Sequence, residues 1–121
     1  MGDIFVDKER IKEQFRLFDI QLPEGLELKR HIVLFPPMPC CAQLAAPFWA
    51  KVIGSIVSKR DRELLIEITV TLYNQDMDVI TECPEGMFLD GGGECKFDVQ
   101  IPHLIPIPSM YSIKVDIKEE L

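Results

Sequence analysis

Residues Glu63 to Tyr73 carry the clearest alternation in the chain: Leu64, Ile66, Ile68, Val70 and Leu72 share one parity, Glu63, Glu67, Thr69 and Thr71 the other. Successive side chains of a strand point to opposite faces, so this spacing specifies a strand with one buried and one wet face. One such strand cannot bury its apolar side alone, and the rest of the chain must supply a sheet and a second layer.

Similar period-two runs recur along the sequence. Phe18, Ile20 and Leu22 alternate up to a turn at Pro23-Glu24-Gly25, and Leu26, Leu28, Ile32 and Leu34 follow, interrupted by Arg30. Trp49 to Ser58 and Glu63 to Tyr73 read as a hairpin around the basic turn Lys59-Arg60-Asp61-Arg62. Phe97 to Ile101 and Tyr111 to Ile117 alternate strictly, and Met77 to Thr81 is a further short candidate. Ahead of them, Ile11, Phe15 and Phe18 stand at helical spacing behind Asp7, which admits one short N-terminal helix. Like charges four apart, Lys8 with Lys12 and Glu9 with Glu13, weaken it.

With about six or seven half-buried strands and no alternation of strand with helix, the expected fold is all-β. The best match is an immunoglobulin-like antiparallel β-sandwich, formed as a single domain over residues 1–121. A chain of 121 residues is long enough for one real core. The connector IPHLIPIP, with Pro102, Pro106 and Pro108, is extended rather than a central strand.

Charge and motif exclude several function classes. The net charge is -7 and the 13 basic residues form no stripe, which argues against nucleic acid. The longest uncharged run, Ile32 to Ala50, is broken by Pro36, Pro37, Pro39 and Pro47, which excludes a transmembrane helix. The N-terminal residues have no apolar signal core. Asp90-Gly91-Gly92-Gly93 leads into a strand-like run without the Lys-Ser/Thr of a phosphate loop, so it reads as a hairpin tip. Asp76 and Asp78 belong to a turn and lack the spacing of a calcium loop.

Cys40 and Cys41 are adjacent and would point apart in an extended segment; Cys83 and Cys95 are too widely spaced for a zinc knuckle. No metal or cofactor is expected. Disulfides are the more physical use, with three connectivities open. A Cys83–Cys95 bond would close a short loop and contribute about 3 kcal/mol. The compartment follows: secreted or lysosomal as a mature chain if disulfides form, cytoplasmic otherwise. His31 falls on the wet face of its strand and His103 in the proline connector, and nothing sets either beside a cysteine as a catalytic base. The chain is not expected to be an enzyme.

The most unusual segment is FPPMPCCAQLAAPFW, in which Phe35, Met38, Leu44, Phe48 and Trp49 lie among prolines. A long apolar loop either packs inward, rims a cavity or faces a partner. No basic residue flanks its proline spacing, as an SH3 ligand would require.

In the last third, Cys83-Pro84, a glycine turn, the alternating Lys96 to Ile101, a proline connector and Tyr111-Ser-Ile-Lys-Val115 follow in order. This stretch, Glu82 to Ile117, resembles the ML lipid-recognition domains, the group of the Niemann–Pick type C cholesterol carrier, the ganglioside activator and the group 2 mite allergens. The resemblance implies a two-sheet sandwich that holds a lipid, sterol or fatty chain between its sheets. On that reading Phe48 and Trp49 form a rim, and Ile66, Ile68, Val70, Phe97, Val99, Tyr111, Ile113 and Val115 line the wall. The alternative is a protein-interaction module docking through an edge strand or the Pro-rich loop 35–49.

Overall fold

The computed structural model describes residues 15–35, 49–102 and 108–121. They form seven strands: β1 (Arg16–Gln21), β2 (Leu26–Leu34), β3 (Ala50–Ser58), β4 (Leu64–Tyr73), β5 (Val79–Leu89), β6 (Glu94–Ile101) and β7 (Met110–Glu120). A four-stranded sheet, ordered β1-β7-β4-β5, packs on a three-stranded sheet, ordered β2-β3-β6. The expected sandwich is what the chain adopts, divided four plus three. One pairing departs from the antiparallel rule, since β1 runs parallel to β7. There is no helix among the described residues. Of the segment read as helical, residues 7–14 lie outside the described residues and Arg16 to Phe18 belong to β1.

The core is what the alternation of β4 demands. Leu64, Ile66, Ile68, Val70 and Leu72 are fully buried, facing Val52, Ile56, Phe97, Val99 and Ile101 of the other sheet. β7 adds Tyr111, Ile113 and Val115. Fully burying an aliphatic side chain is worth about 1.5–3 kcal/mol, so this one interface supplies most of the fold's drive.

Two connections read as hairpins are sheet crossings. β3 pairs with β2 and β6 while β4 pairs with β5 and β7, so the basic turn carries the chain from one sheet to the other. The glycine tip does the same between β5 and β6. The hairpins that stay within a sheet are β2–β3 and β4–β5.

Cys83-Pro84-Glu85-Gly86, read as a turn, is the middle of β5. β5 is an edge strand, where a residue without an N–H is tolerated. Consequently Cys83 sits mid-strand opposite Val70, and Cys95 sits near the start of β6 opposite Ile56, in the other sheet. Cys83 precedes the strand end at Leu89 by ~20 Å at about 3.3 Å per residue. Both thiols are free, so the Cys83–Cys95 bond, one of the connectivities left open, does not form. Cys40 and Cys41 lie outside the described residues.

Candidate functional site

The strand directions send the ends of the sandwich different ways. At one end β1 begins, β2 ends, β3 begins, β4 turns into β5, β6 ends and β7 begins. Phe15, Phe35, Trp49 and Tyr111 meet here: Phe15 stacks on Tyr111 at 4.7 Å and meets Trp49 edge-on at 5.2 Å, and Phe35 meets Trp49 edge-on at 5.3 Å. Phe35 and Trp49 are the residues on either side of segment 36–48, so the Pro-rich run attaches at this aromatic end.

His31 also turns toward this cluster. A bulge between Leu28 and Arg30 inserts one residue and reverses the phase of β2. Beyond it Val33 and Phe35 pack on the core, while Ile32, read as an inward residue, is 53% exposed. His31, read as wet, therefore enters the seam, where its Nε2 and the Tyr111 hydroxyl share a hydrogen bond of 2.9 Å between the sheets. Burial pushes the His31 imidazole below its usual pKa and the Tyr111 phenol above its own. Gly54 makes room for this contact: a Cβ there would lie 2.9 Å from the His31 Cβ and 2.8 Å from the Phe97 ring.

On the outer face of the four-stranded sheet, the same end carries an apolar shelf. The register aligns Val79, Tyr73 and Met110 in one row across β5, β4 and β7. Phe18, at the bulge of β1, meets Tyr73 edge-on at 5.6 Å. Phe18 is 55% exposed and Val79 56%. The Tyr73 hydroxyl is tied to Ser112 Oγ at 2.9 Å, which fixes the ring on the surface. Beside it, Asn74 Oδ1 accepts from the amides of Asp76 and Asp78 and holds the turn shut. Met77 in that turn has a φ of 69°, uncommon for a residue with a side chain, and is exposed.

The opposite end is stitched. Arg60 donates through Nε and a terminal nitrogen to the Glu24 carbonyl, at 3.0 and 2.8 Å, and pairs with Glu120 at 2.7 Å. Its own carbonyl accepts from Gly92, and Lys59 pairs with Glu27 at 2.7 Å. Within the basic turn, Arg60 is the clasp, with Lys59 beside it, while Asp61 and Arg62 stay exposed.

The wall residues named from sequence are brought together. Ile66, Ile68, Val70, Tyr111, Ile113 and Val115 line the inner face of the four-stranded sheet; Phe97 and Val99 oppose them, all buried in one cluster. Trp49 is half-buried at the aromatic end, and Phe48 lies outside the described residues. Sequence reasoning missed the shelf because its members belong to four strands and a turn, and only the register aligns them. Among the described residues no group of three or more His, Cys, Asp or Glu could hold a metal, and no helix could cross a membrane. In comparison with known proteins, no family model and no curated protein matches the sequence.

Proposed function

We propose that this chain is a non-enzymatic binding module that engages a protein partner through its aromatic end. The observation that carries this reading is the exposed shelf of Phe18, Tyr73, Met77 and Val79 at the end to which the Pro-rich apolar segment attaches. A contiguous apolar surface costs hydration free energy until something covers it. A rigid sandwich that gathers connecting segments at one end is a common platform for recognition.

A photo-crosslinking amino acid placed at position 18 or 79 in cells tests the reading. A discrete protein adduct from these positions, and none from position 27 at the clasped end, is expected. Adducts of equal yield from position 27, or none from any position, would refute it.

A second reading is the one the ML resemblance implies, an apolar ligand entering between the sheets, and the aromatic cluster of Phe15, Phe35, Trp49 and Tyr111 in the seam favours it. Native mass spectrometry before and after organic extraction separates the two. A retained lipid supports carriage; bare protein mass with crosslinks at the shelf supports the module.

A further inference from the structure

The outer face of the three-stranded sheet holds a second feature, independent of the aromatic end. Its register aligns Arg30, Ser55 and Lys96 in one row across β2, β3 and β6, and Ile32, Ile53 and Asp98 in the next. Between these rows lies an open groove of about 500 Å³, lined by Arg30, Ile32, Ile53, Ser55, Lys96 and Asp98 together with His31, Gly54 and Phe97 of the row between them. That volume falls within the roughly 300–1,000 Å³ typical of small-molecule sites.

The ion pairs around the groove are selective. Lys29 pairs with Glu94 at 2.9 Å, and Lys51 with Asp98 at 3.5 Å. Arg30 and Lys96 have no ion pair within 4.0 Å among the described residues, although Arg30 lies in the field of Glu94. They flank Ser55, which is buried in the floor with its hydroxyl bonded to the Glu94 carboxylate, and the apolar row starts one step along the sheet. The groove thus offers two cationic donors at one position and aliphatic surface at the next. The carboxylates beside it are each paired, Asp98 with Lys51 and Glu94 with Lys29.

We propose that this groove binds a small amphipathic carboxylate. The head group sits between Arg30 and Lys96, and a short apolar body lies along Ile32 and Ile53. A cation is disfavoured by Arg30 and Lys96, and an inorganic anion leaves the isoleucines in water. Charge alone or apolarity alone therefore binds weakly, and the combination binds best.

Amide chemical shifts during titration with octanoate, octylammonium and acetate test this. Octanoate should give saturable shifts centred on Ile32, Ser55 and Lys96, while octylammonium and acetate bind at least about tenfold more weakly, the scale of a charge-assisted hydrogen bond. The Arg30→Gln/Lys96→Gln protein should bind octanoate about tenfold more weakly with an unchanged circular dichroism spectrum. Each single variant, a milder change at an exposed position, should show part of the loss. Equal binding of octylammonium, octanoate shifts centred on Phe18 and Val79 instead, or unchanged affinity in all three variants would overturn the proposal.

Discussion

Protonating His31 would place a charge in the seam between the sheets, against the Tyr111 hydroxyl and next in the chain to Arg30. Burial is the cause of its lowered pKa, so the folded protein holds this proton more weakly than the unfolded chain does. The unfolded state then binds more protons as pH falls below about 6.5, the ordinary histidine value. Stability supplied by neutral His31 is complete above that value and is lost as pH falls toward the folded pKa. Glu94 acts lower in the range. Its hydrogen bond from Lys29 depresses its pKa, so its contribution persists until the carboxylate itself is protonated. Urea midpoints should therefore fall between pH 7.5 and 5.5 in the native protein, and fall less in His31→Gln. An identical pH slope in the variant would remove His31 as the cause. This residue was misplaced from sequence for a physical reason. Alternation predicts a face only while the strand has no extra residue, and a single insertion between Leu28 and Arg30 exchanges the faces of everything after it.

At the scale of elements, the strands were legible and their partners were not. β4, β6 and β7 were evident from their alternation because each buries one face and exposes the other. Only the start of β5 was legible, Val79 to Thr81 of the short candidate, and the rest was hidden because the strand is an edge. Glu85 shares the inward parity of Cys83 and Met87 yet stays exposed, and Pro84 and Gly86 mimic a turn. A charge at an inward position and a proline also discourage edge-to-edge pairing, so what obscures the strand in sequence protects it in the fold. The corners misled in a related way: turn residues require the chain to reverse but do not specify which sheet receives it. This matters for the thiols. Cys83 is buried with its pKa pushed up by desolvation, and Cys95 is half-exposed on the other sheet. In proteins retaining only one of the two, an aromatic disulfide reagent at pH 8 should label Cys95 at least about tenfold faster than Cys83, because attack requires an accessible thiolate. Comparable rates would mean that β5 opens readily, against its continuous pairing with β4 from Thr81 to Leu89.

For the whole molecule, the two ends divide the work. Of the four crossings between the described strands, β1–β2, β3–β4 and β5–β6 occur at the Arg60 end, where backbone and side-chain bonds tie them together and fix the spacing of the sheets, and only β6–β7 lies at the aromatic end. The aromatic end has both in-sheet hairpins and the exposed shelf. Of the candidate site, Trp49 and the Pro-rich segment before it were visible in the sequence as an unusual apolar run broken by prolines. The shelf required knowing that Val79, Tyr73 and Met110 share a row. If stability resides at the clasp and recognition at the shelf, the two should separate by mutation. Arg60→Ala removes the bonds to Glu24 and Glu120 and should destabilise by about 1–3 kcal/mol, partly discounted because the side chain is accessible. Gly25→Ala should cost about 1–2 kcal/mol for its φ of 89°, plus a clash with the Arg60 side chain, which a Cβ would meet at 2.9 Å. In the double variant that clash disappears, so the two losses should sum to more than the measured total. Crosslinking from position 18 should survive both changes below the unfolding temperature. A folded Arg60→Ala protein that keeps its melting temperature would break the clasp argument, and one that loses the crosslink would move recognition to the other end.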